Sequence, residues 1–112
     1  MKTTLQGRQA EAAVAELLDQ HGFEILTRNW RRPRCEIDLV AAKDKIVYFV
    51  EVKYRATASQ GEGFDYITKR KEAQMRFASE IWAQENEFTG DQRLMAADVS
   101  GDDCEHIKLL EL

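Results

Sequence analysis

The sequence predicts an α/β domain, a mixed central sheet flanked by helices, and three observations carry that prediction. A helical pattern opens the chain, the stretch RCEIDLVAAKDKIVYFVEVKYR from Arg34 to Arg55 reads as a β-hairpin, and a second helical segment separates that hairpin from further short apolar runs. At 112 residues and 44% hydrophobic content the chain makes a single domain, residues 1–112. A domain of this size buries about two thirds of its surface without disulfides.

Taken in order, the first helix runs from about Thr4 to Gln20, rich in Ala, Leu, Glu and Gln, and stops at His21-Gly22. On its wheel Glu11 falls among Val14, Ala15 and Leu18, whereas Glu16 and Asp19 point away. A carboxylate on an apolar face needs a partner or a route to water. Gly22 to Trp30 reads as a first strand, followed by an arginine-rich turn containing Pro33. The hairpin supplies strands two and three, Cys35 to Ala42 and Ile46 to Arg55. Ala56 to Tyr66, ATASQGEGFDY, is small, polar and aperiodic, and is expected to be a mobile loop. A second helix spans about Ile67 to Asn86, with Thr68 as N-cap and Gln74, Phe77, Ala78, Ile81 and Trp82 inward. Lys71 shares that inward face, at a helix start where a cation opposes the dipole. Leu94 to Ser100 is a fourth strand, SGDD a turn, and His106 to Leu112 a short fifth; Asp98 falls among apolar residues.

The hairpin carries the chemistry. Alternation puts Ile37, Leu39 and Ala41 on one face of strand two, with Glu36, Asp38 and Val40 on the other. Strand three is apolar on both faces up to Val50, then sets Glu51, Lys53 and Arg55 on one face and Val52 and Tyr54 on the other. A two-residue turn at Lys43-Asp44, or a four-residue loop from Ala42 to Lys45, pairs Ala41 with Ile46, Asp38 with Phe49 and Glu36 with Glu51. All five charged residues then share one side, with Asp38 diagonal to Glu51 at roughly 7–8 Å. A slip of one residue would separate them. Oxygen donors without cysteine or histidine suit Mg²⁺ or Mn²⁺, which activate water and offset charge on a phosphorane. Lys53, beside Glu51, is placed to orient that water or neutralise that charge. The pattern D…ExK is weak alone; inside apolar strands of matched parity it points to phosphodiester hydrolysis. The plainer reading pairs the carboxylates with Lys53 and Arg55.

A formal net charge of −4 argues against indiscriminate coating of nucleic acid, yet the cations are clustered. Arg28, Arg31, Arg32 and Arg34 lie with Trp30 in RNWRRPR, and Lys69, Arg70, Lys71 and Arg76 follow later. These are two candidate anchor points for phosphates, although any one arginine has the plainer role of solubilising a loop. Cys35, Cys104, His21 and His106 lack zinc spacing, and reduced thiols are expected. No apolar run approaches a membrane span and MKTTLQGRQAEAA lacks a signal peptide's apolar stretch, so a cytoplasmic protein with no membrane partner is expected.

At these residues the chain resembles the PD-(D/E)XK nuclease superfamily and, more closely, a small bacterial family, the YraN-like proteins, related to archaeal Holliday-junction resolvases. The likeness covers nearly the whole chain: Gly7-Arg8-Gln9-Ala10-Glu11, Asn29, Glu36-Ile37-Asp38-Leu39, Phe49 through Arg55, Ile67-Thr68 with Lys71, and Asp98-Val99. It implies a restriction-endonuclease-like αβββαβ core. It also implies Glu11, Asp38 and Glu51 as metal ligands with the Val52 carbonyl, Lys53 as catalytic lysine, and Mg²⁺ or Mn²⁺ as cofactor. Ala10 and Cys35 stand where the family usually has glycine, and Ala97 where it has phenylalanine. The expected function is a metal-dependent endonuclease acting on DNA, branched or junction DNA included, in recombination or repair. Arg28, Arg31, Arg32, Arg34, Arg55, Lys69 and Lys71 would contact the nucleic acid. The alternative is a noncatalytic nucleic-acid-binding adaptor that retains the fold; RNA as partner and a homodimer stay open.

Overall fold

The computed structural model describes residues 4–56 and 64–112, so most of the segment expected to be a mobile loop lies outside the described residues. Helix α1, Leu5–Gln20, begins where the Thr4 hydroxyl accepts the Gly7 N–H at 3.0 Å. It ends at His21, followed by Gly22 at φ 88, the left-handed conformation that glycine adopts without strain. Strands β1 (Glu24–Arg32), β2 (Cys35–Lys43) and β3 (Ile46–Arg55) follow, then α2 (Lys69–Glu85), β4 (Asp91–Ser100) and β5 (His106–Glu111). They form one sheet in the order β1-β2-β3-β4-β5, antiparallel except for the parallel pair β3–β4. A parallel pair needs a crossover, and α2 provides it. The result is a restriction-endonuclease-like αβββαβ core with β5 added at the edge.

The central strands are buried on both faces, which explains the unbroken apolar run in β3. Toward α1 point Leu39, Ala41, Val50, Val52, Met95, Ala97 and Val99, packed on Ala10, Val14, Ala15 and Leu18. Toward α2 point Val40, Val47, Phe49 and Leu94, packed on Met75, Ala78, Trp82 and Ala83. No helix among the described residues is long and apolar enough to cross a membrane.

Four sequence expectations are corrected. The arginine-rich segment is not a turn: β1 continues through Arg32, and the turn is Pro33-Arg34. The buried stripe of α2 runs through Met75, Ala78, Ser79, Trp82 and Ala83, leaving Gln74 exposed and Phe77 47% exposed. Wheel position alone assigns Phe77 to the core; Met75, on a different stripe of the helix, fills it instead. The hairpin turn is Asp44-Lys45, both at positive φ (53 and 68) as a type I′ turn requires. Lys43 therefore pairs with Ile46 and Leu39 with Val50, two residues away from the expected register. An even slide by itself moves no side chain to the other face. Finally, Ile37 does not share the face of Leu39; it packs with Val40 and Phe49 on the α2 side. The faces invert where Asn29, between the pairs Arg28↔Leu39 and Trp30↔Ile37, adopts a left-handed backbone at φ 53. Asparagine is among the few residues that tolerate it.

Candidate functional site

Pairing between β2 and β3 ends at Leu39↔Val50. Beyond that point β2 stays paired with β1 as far as Arg32↔Cys35, and β3 stays paired with β4 as far as Arg55↔Ser100. The sheet therefore forks, and the acidic blocks sit on the two arms. Asp38, 6% exposed, lies at the fork, and its Oδ2 accepts the Val52 N–H at 2.8 Å. The ladder offers that N–H no β2 carbonyl, and a buried N–H without an acceptor costs about 1–3 kcal/mol. The carboxylate supplies what the backbone cannot.

On the β3 arm Val50 and Val52 enter the α1 core, so Glu51 and Lys53 face the α2 side. Glu51 Oε2 is 3.2 Å from the Nζ of Lys71 in the first turn of α2. Thr68 fixes that turn by accepting the Lys71 N–H on its hydroxyl at 3.0 Å. Lys53 is exposed, and its side chain makes neither a hydrogen bond nor an ion pair to a described residue. The Arg55 Nε lies 3.1 Å from Asp98 Oδ1, with both side chains largely covered, so the acid among apolar residues has its counter-ion. Tyr66 closes the cluster, its hydroxyl donating to the Ala97 carbonyl at 3.3 Å. Burial first, then the negative charges of Glu51, Asp98 and Asp38, push its phenol well above the ordinary range, with Arg55 opposing. One side chain thus senses three carboxylates. No sequence pattern marks it, because Tyr66 closes a glycine-rich aperiodic stretch.

Glu11 is on the apolar side of α1 as expected, 4% exposed, and its covered Oε2 accepts no hydrogen bond among the described residues. It belongs to the α1 layer, while Glu51 is turned onto α2. As the side chains stand, no three His, Cys, Asp or Glu among the described residues form a group that could hold a metal ion.

The expected phosphate anchors separate into two kinds. Arg31 is 4.0 Å from Glu36, and Arg32 donates through Nε to both oxygens of Glu85 at 2.9 and 2.8 Å while lying over the Trp30 ring. That bond holds the Arg32 guanidinium above, and Glu85 below, their ordinary values. Arg28, Arg34, Lys69 and Arg70 are exposed and make no ion pair with a described residue. Arg34, Cys35, Glu36, Glu51, Arg70 and Lys71 all line one groove of about 490 Å³ between the start of α2 and the fork. Burial pushes the Cys35 thiol up, so it is a neutral wall of that groove.

The pattern of the uncharacterised protein family UPF0102 matches residues 10–100, which includes both arms of the fork. The chain belongs to this family, the YraN-like proteins. It is 40% identical over 78 residues to a UPF0102 protein of Leifsonia xyli subsp. xyli, covering 70% of this chain and 66% of the relative. A UPF0102 protein of Renibacterium salmoninarum is 36% identical over 89 residues, covering 79% and 75% respectively. One from Prosthecochloris aestuarii is 42% identical over 69 residues, covering 62% and 54%. The UPF0102 match begins at Ala10 and so takes in Glu11, Asp38, Glu51, Lys53 and Tyr66 together.

Proposed function

We propose that this UPF0102 protein is a divalent-metal-dependent nuclease that hydrolyses DNA phosphodiester bonds, branched DNA included. The observation that carries the reading is the fork. Two central strands that pack into apolar clusters on both faces part where Asp38 stands on one arm and Glu51 and Lys53 on the other. Carboxylate oxygens are the donors that Mg²⁺ and Mn²⁺ prefer, so the donor chemistry fits. Asp38, Glu51 and Glu11 would hold the ion with the Val52 carbonyl. Bound there, it supplies an activated water and offsets phosphorane charge. Lys53 keeps its ammonium exposed for a substrate phosphate and stabilises the charge developing on it. Lys71 holds the Glu51 carboxylate in place until a stronger cation competes for it.

The test is cleavage of single-stranded, duplex, flap and four-way-junction DNA by purified protein with Mg²⁺ or Mn²⁺. Cleavage should require the metal and be lost in Asp38→Ala. Because that change also removes the acceptor for Val52, Asp38→Asn, which keeps an acceptor oxygen, should lose cleavage while staying folded by circular dichroism. Undiminished cleavage in a folded Asp38→Asn protein would refute the assignment. A noncatalytic nucleic-acid-binding adaptor is the second reading, favoured by the closure of Glu51 on Lys71 and of Asp38 on Val52. It predicts salt-sensitive DNA binding with no cleavage under any metal.

A further inference from the structure

We propose that the groove between α2 and the fork binds an unpaired DNA strand, with Phe77 as the surface on which a base stacks and Arg34 and Arg70 as its phosphate contacts. The inference rests on the nucleic-acid part of the function proposed above and specifies the form in which DNA is held. Arg70, Gln74, Phe77 and Ile81 recur at helical spacing and make one stripe along α2, beside the stripe that enters the core. Phe77 is 47% exposed, and among the described residues the other large exposed hydrophobics, Leu5, Leu26, Leu109 and Leu110, are all aliphatic. Packing does not account for an aromatic there.

The surroundings of Phe77 are cationic. It lines the same groove as Arg34, Arg70, Lys71 and Glu51, and a shallower depression around Pro33, Arg34 and Ile81 continues the surface past it. The two acids of the groove face cations, Glu51 at 3.2 Å from Lys71 and Glu36 at 4.0 Å from Arg31. Arg34 and Arg70 make no ion pair with a described residue, so their charge is available to an anion. Along the helix axis Arg70 and Phe77 are roughly 10 Å apart, enough for a phosphate and a neighbouring base to be held at once. A duplex keeps its bases stacked on one another, whereas an unpaired strand offers a π-face to an aromatic side chain. Glu51 is part of the groove wall, so a strand lying in it reaches the fork.

Binding of a fluorescein-labelled oligo-dT and of a blunt duplex of the same length, followed by anisotropy in EDTA, decides the matter without cleavage. The wild-type protein should prefer the single strand. Phe77→Ala should weaken that binding on the order of tenfold while leaving duplex affinity unchanged. Arg70→Gln should lower the salt dependence of single-strand binding by about one phosphate contact. Leu109→Ala, on β5, should alter neither. Equal affinity of Phe77→Ala and wild type for oligo-dT, or tighter binding of the duplex, would overturn the proposal, as would tighter binding of oligo-rU than of oligo-dT. Since EDTA abolishes any metal-dependent reaction, these outcomes are independent of the Asp38→Asn cleavage assay.

Discussion

At its turn the β2–β3 hairpin is fully paired: Lys43 faces Ile46 across Asp44-Lys45, and Val40 faces Phe49 with apolar neighbours on both sides of the sheet. At its other end the same two strands part after Leu39↔Val50, and the positions beyond carry Asp38, Glu51, Lys53 and Arg55. The difference lies in who satisfies the backbone. Where the ladder is intact, N–H and C=O groups pair with each other and side chains are left to pack. Where it opens, an N–H such as that of Val52 must be met by a side chain, and Asp38 meets it. Stability is assigned to the closed end and the proposed chemistry to the open one, so substitutions at the two ends should fail differently.

The largest effect is expected at the closed end. Phe49 is 1% exposed and packs edge-on against Trp82, with ring centroids 5.5 Å apart. Phe49→Ala should cost about 3–5 kcal/mol in urea denaturation, and any loss of cleavage should follow loss of fold. A cost below about 1 kcal/mol would mean that the closed end does not carry the stability assigned to it.

At the open end Lys53→Met should do the reverse. It keeps the apolar stem and removes only an exposed charge, so stability should stay within about 0.5 kcal/mol of wild type. Cleavage should fall on the order of 10²–10³-fold, the usual effect of deleting one electrostatic stabiliser of a developing charge. If Lys53→Met unfolds the domain while Asp38→Asn does not, the lysine is a structural counter-ion and the two ends are not distinct.

The acidic face of β3 is legible in the sequence, whereas the fork is not: the expected pairs Asp38 with Phe49 and Glu36 with Glu51 do not form, because pairing stops at Leu39↔Val50. Face parity survives any even slide of the register, so Glu51 and Lys53 could be placed on one face although Asp44-Lys45, and not Lys43-Asp44, makes the turn. The inversion at Ile37 lies opposite a left-handed Asn29 on the neighbouring strand, and the alternation within β2 contains no sign of either. Glu11 was readable because its neighbours Val14, Ala15 and Leu18 recur at helical spacing. Phe77 was misplaced because two stripes of α2, one through Met75 and one through Phe77, both carry apolar residues; contact with Trp30 and Val40 chooses the first. Tyr66 could not be found at all, since what marks it is proximity to three carboxylates distant in sequence.

The smallest effect concerns Lys71, where the two ends of the argument meet. Its ammonium lies 3.2 Å from Glu51, with side chains 34% and 16% exposed. A partly exposed pair of this kind is worth about 0.2–1 kcal/mol. Lys71 also sits in the first turn of α2, where a positive charge opposes the helix dipole by a similar amount. In Lys71→Met the two contributions offset, and the metal-free protein should melt within a few degrees of wild type. Metal affinity should respond in one direction only. A divalent cation that needs Glu51 competes with the lysine, so removing the lysine should tighten Mn²⁺ binding by up to about fivefold, the factor equivalent to the pair's own free energy. Titration calorimetry or the loss of the free Mn²⁺ resonance signal measures this without any substrate. Weaker Mn²⁺ binding in Lys71→Met would show that the lysine orients Glu51 for the ion and does not compete with it, and the open end would then be preorganised instead of held shut.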